Sequence, residues 1–298
     1  MDEIRRFSFI EAPIRGQWVR LSSVLTELDG RRTYPGRVRN LLGEMLAAVT
    51  LVADNVKFRG AVALQSRGSG PLTTVLAECR ERHLLRGLAN WSDQAHIPDT
   101  DSLKALIGDG QLALNLIPDA VSDDAESQAY QGLVALSGDR LAVNLESYFA
   151  ISEQLPTRLS FAGTQDSVTG LLLQRLPGRD NATEVEIDHQ QALWEEVQLL
   201  AATLREEELA GLDCESLITR LFGGATVRVH PPRALRFQCT CNRDKTSTTL
   251  LALGRDDLLE LLTEQEAISV TCEICGALYA YDAVDVHQLF SPDPPAIH

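Results

Sequence analysis

The sequence is poor in basic residues. It has 27 lysines and arginines against 42 aspartates and glutamates, which gives a formal net charge of −15. Because binding to nucleic acid depends on a basic face that neutralises phosphates, this balance argues against a general nucleic-acid binder. The same excess of negative charge keeps a protein soluble through self-repulsion. We therefore expect partners other than nucleic acid.

Long apolar segments are also missing. The longest apolar run, near residues 45–53, is much shorter than the roughly 20 residues that a membrane-spanning helix needs. The sequence at 1–17 contains no apolar core of the kind that secretory signals carry. We therefore predict no membrane association and a cytoplasmic location. In such a reducing compartment, paired cysteines are thiols or metal ligands rather than permanent disulfides.

Signatures of catalysis are absent as well. The sequence has no recognisable Ser-His-Asp set, no framed pair of carboxylates and no dinucleotide fingerprint. The glycine-rich stretch 67–70 lacks a Walker lysine and no helix clearly follows it, so it predicts a turn between strands. These absences predict that the protein is not an enzyme.

Cysteine, by contrast, is concentrated near the C-terminus. Four of the six cysteines form two tight pairs, Cys239 with Cys241 and Cys272 with Cys275. Two such pairs joined by one loop are typical of a four-thiolate metal site, and zinc suits that ligand set best. An iron–sulfur cluster fits the one-residue gap less well, and packed free thiols are the remaining alternative. The sequence thus predicts one Zn²⁺ ion held by these four cysteines.

The first pair constrains its own backbone. Leu235 and Phe237 alternate with Cys239 and Cys241, which predicts a strand entering a turn, with both sulfurs on one face. A disulfide needs Cα atoms roughly 4.4–6.8 Å apart, whereas two residues of extended chain span up to about 6.6–7.2 Å. A disulfide between these neighbours therefore requires the backbone to bend. The metal-bound and oxidised forms should differ in backbone shape.

The other candidate groups are weaker. Cys79 has basic neighbours that can activate a thiol, but a packed side chain is the commoner state of a lone cysteine. We expect Cys214 to be packed as well. His230 and His287 lie near the metal segment, but four cysteines already fill a tetrahedral site.

Strands and helices are mixed without regular βαβ spacing, which predicts an α+β fold for the first part of the chain. The apolar pattern predicts strands within 7–21 and at 56–65, 72–79, 84–89, 111–117, 132–136, 158–162 and 170–176, and helices at 35–54 and 141–154.

The chain changes character after residue 178. Two amphipathic helices are predicted at 188–204 and 206–221, and their adjacent like charges cost stability. We therefore predict four segments. These are a core domain at 1–178, a loosely held helical linker at 179–232, a small zinc domain at 233–290 and a flexible tail at 291–298.

Several stretches of the sequence are similar to those of one known protein family. The stretch 237–241, the apolar segment 250–262 and the stretch 270–279 resemble the zinc domain of the redox-regulated heat shock protein 33 chaperone family. The front half is similar too, at 34–35, 41–44, 57–60, 65–71, 130–134, 148–157 and 170–177. The departures from the family pattern, at 242–245 and 264–266, change only local turns.

The resemblance implies a redox-regulated, ATP-independent holdase chaperone. The reduced, zinc-bound form would be inactive, and oxidation would pair Cys239 with Cys241 and Cys272 with Cys275 and expel zinc. The linker would then unfold, the protein would form a homodimer, and unfolding client proteins would be held. The composition of the chain and the spacing of its cysteines do not by themselves indicate a chaperone function.

Two other functions remain open on the sequence alone. The first is a static zinc-ribbon adaptor, for which Arg236, Arg243 and Lys245 supply a small basic patch. The second is a thiol–disulfide oxidoreductase that uses Cys272 and Cys275, although the βαβ frame of such enzymes is not apparent.

Overall fold

The computed structural model describes residues 2–56, 59–92, 95–100, 102–119, 129–178 and 183–291. The chain divides into two compact units, Met1–Gln238 and Cys239–His298. Both contain a sheet and helices, so the predicted α+β fold is confirmed. Lys57 and Phe58, the break at 179–182 and the tail at 292–298 lie outside the described residues.

The strands are β1 Glu3–Phe9, β2 Ile14–Leu21, β3 Gly60–Arg67, β4 Leu72–Arg80, β5 Leu84–Trp91, β6 Gln111–Pro118, β7 Tyr130–Val134, β8 Thr157–Gly163, β9 Val168–Arg175, β10 Val227–Val229, β11 Arg233–Ala234, β12 Arg236–Phe237, β13 Ile268–Thr271 and β14 Leu278–Tyr281. The helices are α1 Ser23–Asp29, α2 Gly36–Asn55, α3 Leu103–Ile107, α4 Leu141–Ile151, α5 Glu184–Ala202, α6 Glu206–Gly211, α7 Cys214–Phe222, α8 Arg243–Leu253, α9 Arg255–Glu264 and α10 Ala283–Leu289. None of the helices in the described ranges is long and apolar enough to cross a membrane.

Two sheets form the frame of the first unit. One has the strand order β10-β1-β2-β9-β8, with β11 also paired to β1, and the other has the order β12-β5-β4-β3-β6-β7. Neighbouring strands run antiparallel except for β12, which is parallel to β5. The strands predicted from alternation are confirmed, including the turn at 67–70 between β3 and β4.

Helix α2 is the centre of this unit. It follows Pro35, as predicted from the preference for proline at helix starts, and contacts strands of both sheets. Fourteen of its 20 residues are buried, among them Met45 and Leu46, which have no exposed surface. A helix apolar on most sides is stable only when it is covered on most sides. The main core is therefore built around α2.

A second apolar cluster covers the other side of the first sheet. It joins Phe7, Phe9 and Trp18 of the sheet to buried residues of α5, α6 and α7. The phenyl ring of Phe222 lies 5.3 Å from that of Phe9, edge to face. Apolar burial of this kind stabilises by about 25 cal/mol per Å². Apolar contact thus holds α5, α6 and α7 on the sheet.

The prediction of a single helix over 206–221 is wrong. The structure has two helices, α6 and α7, separated at Leu212 and Asp213. The Asp213 carboxylate accepts a hydrogen bond from the backbone N–H of Ser216 at 2.8 Å and caps α7. The residue that caps the start of a helix has an extended backbone, so a helix cannot run through Asp213. The first linker helix likewise begins earlier than predicted, at Glu184, because Thr183 and Glu186 form a capping box.

The C-terminal unit has a small core. A β13–β14 hairpin packs with α8, α9 and α10. Five residues form its buried cluster: Leu250, Leu258, Ile268, Tyr281 and Val286. Domains of this size bury little apolar surface and are marginal without another stabilising element.

Candidate metal centre

The four paired cysteines meet at one point of the C-terminal unit. Cys239 and Cys241 lie just before α8, and Cys272 and Cys275 lie in the turn between β13 and β14. All four sulfurs are within 4.8 Å of one another, and all four residues are half-buried. The structure therefore brings together every predicted ligand.

The local backbone differs from the sequence prediction at the first pair. Strand β12 ends at Phe237, so Cys239 and Cys241 do not continue a strand as expected. In the second pair, the N–H of Gly276 donates to the carbonyl of Cys272 at 2.8 Å. Gly276 has φ +70, a left-handed conformation that glycine adopts at little cost. This turn points both sulfurs of the second pair toward the first.

The spacing of the sulfurs fits a tetrahedral metal ion. The Sγ atoms of Cys239 and Cys272 are 3.7 Å apart, and those of Cys241 and Cys275 are 3.2 Å apart. With Zn–S bonds of about 2.3 Å, tetrahedral geometry places sulfurs about 3.8 Å apart. Both of these separations join one motif to the other. The four thiols thus form one cluster, which can hold a metal ion.

The thiols of the cluster differ in their pKa values. Burial opposes the charge of Cys241, but hydrogen bonds, first from the Tyr279 hydroxyl and then from neighbouring thiols, lower its pKa to about 7. Burial and the neighbouring thiols raise the pKa of Cys275 to about 12, and burial also raises the pKa of Cys239. Four adjacent thiolates therefore need a cation to be stable together. Metal binding by such a set releases protons.

Tyr279 is a contributor that motif spacing does not indicate. Its hydroxyl donates to Cys241 Sγ at 3.2 Å from strand β14. Groups that hydrogen-bond to ligands typically change metal affinity by about 10–100-fold.

We expect Tyr279→Phe to weaken zinc binding by about tenfold, measured by competition with a chromogenic chelator. Tyr130→Phe, in the first unit, removes a hydroxyl that pairs with Tyr148 and should leave zinc affinity unchanged. Equal affinity in the two variants would contradict a role for Tyr279.

The basic residues near the cluster hold the backbone in place. Lys245 Nζ donates to the carbonyl of Thr240 at 2.7 Å. Arg243 pairs with Asp285 at 2.7 Å and lies 4.3 Å above the ring of Tyr281. Of the basic patch, Arg243 is thus neutralised by a carboxylate, whereas the bond of Lys245 to a carbonyl leaves its charge in place.

The remaining candidate residues lie elsewhere. His287 contacts Arg255, and His230 belongs to the first unit, so neither is part of the cluster among the described residues. Cys79, on β4, and Cys214, at the start of α7, are each 1% exposed. Burial raises the pKa of both thiols to about 12.

These two thiols should be inert while the protein is folded. The thiolate is the reactive form, and a pKa near 12 leaves about 10⁻⁵ of each thiol ionised at pH 7. We expect iodoacetamide at pH 7 to leave Cys79 and Cys214 unmodified in native, reduced, zinc-loaded protein, whereas urea-unfolded, metal-free protein should incorporate six alkyl groups. Peptide mass spectrometry identifies the modified positions. Rapid native labelling of Cys79 would contradict its burial.

The chain is similar to known proteins over nearly its whole length. A family model described as Hsp33 protein matches residues 2–282. A 33 kDa chaperonin of Chromobacterium violaceum is 38% identical over 293 residues, which cover 98% of this chain and 95% of the relative. One from Pseudomonas paraeruginosa is 40% identical over 291 residues, with 97% and 95% covered.

A solved structure shows the same fold. The crystal structure of the 33 kDa chaperonin (heat shock protein 33 homolog) from Thermotoga maritima superposes with a TM-score of 0.79 at 21% identity. The match covers 96% of this chain and 97% of that one. Family model, relatives and fold lead to one conclusion: this chain belongs to the Hsp33 family of chaperones.

Proposed function

We propose that this protein is a redox-regulated, ATP-independent holdase whose four-cysteine centre is the switch. Its family supports a chaperone function. The observation that carries the redox control is the gathering of four thiols in a unit with a small core. A unit of this kind depends on its metal for stability, and its metal depends on reduced cysteines.

Magnitudes support this dependence. Structural zinc contributes about 10–16 kcal/mol in small zinc-finger peptides. A whole domain is typically stable by only about 5–15 kcal/mol. The bound Zn²⁺ supplies charge neutralisation and cross-linking at Cys239, Cys241, Cys272 and Cys275. Oxidation of these ligands therefore removes most of the folding free energy of residues 239–291.

The oxidation is balanced with peroxide as the oxidant. Each pair of thiolates loses two electrons and forms one S–S bond, while one hydrogen peroxide takes up those electrons and two protons from solvent and becomes two waters. A sulfur in a disulfide no longer carries the thiolate charge that would hold Zn²⁺, so the ion would leave. We propose the pairs Cys239–Cys241 and Cys272–Cys275. In the folded unit, close sulfur contacts run between motifs, from Cys239 to Cys272 and from Cys241 to Cys275. Once the unit loosens, closing a short loop costs less chain entropy than closing a long one, and the pairs within each motif are favoured.

The linker passes the signal to the core. In this proposal residues 1–178 bind clients and dimerise, 179–232 are the metastable linker, and 233–290 are the sensor. Helices α5, α6 and α7 cover an apolar face of the first sheet that includes Phe7, Phe9 and Trp18. Their release would expose that face to unfolded or partly folded client proteins. Exposed apolar surface of this kind binds other apolar chains.

The test is a comparison of reduced and oxidised protein. A chemically unfolded client is diluted into reduced, zinc-loaded protein or into protein treated with peroxide at mild heat. Light scattering reports aggregation, and a chromogenic chelator reports zinc in the same samples. We expect only the oxidised protein to suppress scattering, in step with zinc release. Full activity in the reduced, zinc-loaded state would refute redox control while leaving the chaperone function intact.

A further inference from the structure

A cavity rich in positive charge lies in the first unit. Its volume is about 230 Å³, and its lining includes Arg6, Arg15, Arg82 and His230. Among the described residues that line it, Asp54 is the only one with a carboxylate. Such an excess of cations is unexpected in a protein with a net charge of −15.

The carboxylate of Asp54 is already fully engaged. Its side chain is 0% exposed. Oδ2 accepts hydrogen bonds from Arg6 Nε and Gln17 Nε2, both at 2.5 Å. Oδ1 accepts from the Arg6 guanidinium and pairs with Arg233, which lines an adjoining cavity of about 300 Å³. Asp54 therefore neutralises Arg6 and Arg233 in part and has no capacity left for another cation.

Arg15 is a half-buried cation without an anionic partner among the described residues. Its Nε donates to Gln174 Oε1 at 3.0 Å, which is a neutral acceptor. Burial, followed by the charge of Arg6, lowers the pKa of the Arg15 guanidinium, and the charge of Asp54, which is shared with Arg6 and Arg233, offsets only part of this. A buried charge without a counter-charge is costly. An anion in the cavity would remove that cost.

Arg82 is held at the cavity by an unusual backbone. Arg82 and Glu81, in the turn between β4 and β5, have φ of +64 and +51. Non-glycine residues adopt such conformations uncommonly. No ion pair of Arg82 occurs within the ranges that the structure describes. Positive φ values are what a tight hairpin turn requires, and this turn places Arg82 in the lining of the cavity.

We propose that this cavity binds a small phosphate-type oxyanion, either inorganic phosphate or the phosphate group of a small ester. The planar guanidinium group matches phosphate oxygens with pairs of parallel hydrogen bonds. The cavity is smaller than the roughly 300–1,000 Å³ pockets that hold drug-sized ligands. Arg6, Arg15 and Arg82 supply the charge, and His230 lines the same cavity.

The position of the site gives it a structural consequence. Arg6, Arg15 and Arg82 belong to β1, β2 and the β4–β5 turn, whereas His230 follows β10, after the linker helices. A bound oxyanion would contact both parts of the unit. It should therefore stabilise the pairing of β10 with β1, because a ligand that binds only the folded state raises its stability.

The test is calorimetric titration of inorganic phosphate into the reduced full-length protein at low ionic strength. Sodium chloride at matched ionic strength is the control ligand, and glycerol 3-phosphate distinguishes an ester from the free ion. We expect saturable binding of one phosphate or ester per chain and none of chloride. The unfolding temperature should rise with the concentration of the bound ligand.

Two variants separate the site from general charge. Arg82→Asn removes the guanidinium while keeping a residue that tolerates the left-handed conformation, and it should weaken binding at least tenfold. Arg228→Gln removes the same charge from an exposed position on β10 that is absent from the cavity lining, and it should bind as the parent does. Absence of saturable binding, or equal weakening in both variants, would overturn the proposal. Neither result depends on the redox switch.

Discussion

Replacing Cys275 by serine should empty the metal centre and unfold the C-terminal unit of the reduced protein. The substitution removes one of four thiols that lie within 4.8 Å of one another. The five buried residues of this unit form too small a core to replace a contribution of about 10 kcal/mol. We expect zinc content to fall from one ion per chain to a small fraction of that. Amide exchange in α8, α9 and α10 should approach that of an unfolded peptide.

The matched control removes a thiol outside the cluster. Cys79→Ala affects a buried cysteine of β4 in the first unit. It should keep full zinc content and full amide protection at 239–291. Hydrogen-exchange mass spectrometry and metal analysis on the same samples report both quantities. Persistent protection in zinc-free Cys275→Ser protein would show that the apolar core suffices, and full zinc would exclude Cys275 as a ligand.

Features encoded within a few residues could be predicted from the sequence. The alternation at 72–79 and 84–89 predicted the β4–β5 hairpin, and Pro35 with the following apolar period predicted α2. The cysteine spacing predicted that four sulfurs would meet. For the helix and the hairpin the determining residues are neighbours in the chain. The two cysteine pairs lie 33 and 34 positions apart, but each pair has a recognisable ligand spacing, which is why their meeting could be predicted. Capping of α7 by Asp213 was also local, and it could have been found from the Asp-x-x-Ser pattern at 213–216.

Features that depend on distant residues could not be predicted. The pairing of β10 and β11 with β1, and of β12 with β5, joins short strands whose partners lie far away in sequence. Two or three residues carry too little alternation to fix a register. The hydrogen bond from Tyr279 to Cys241 crosses 38 positions. The side chains around Asp54 come from β1, β2 and β11, and no sequence spacing relates them.

Helices α5 and α7 offer the sharpest test of how the proposed switch would reach the core. Leu217 of α7 is 1% exposed, and Leu199 of α5 is 71% exposed. Substituting a buried leucine by alanine typically costs about 2–5 kcal/mol, whereas exposed substitutions stay within about 0.5 kcal/mol. Both residues lie in helices, and the leucine-to-alanine change alters helix propensity equally at the two positions. Any difference between the two variants therefore reports the loss of apolar packing at Leu217.

We expect Leu217→Ala to open the linker in reduced protein that still holds its zinc. Cys214 is the reporter, because it is buried in the same apolar cluster and becomes alkylated only when α7 leaves the sheet. A loss of about 3 kcal/mol raises the open population, and hence the labelling rate, by about 150-fold when opening is fast. Suppression of client aggregation should appear without oxidant in proportion to that population. If Cys214 becomes reactive in Leu217→Ala while aggregation of the client is unchanged, the helices cover no client-binding surface. If Leu199→Ala produces the same labelling as Leu217→Ala, apolar packing on the sheet is not what holds the linker closed.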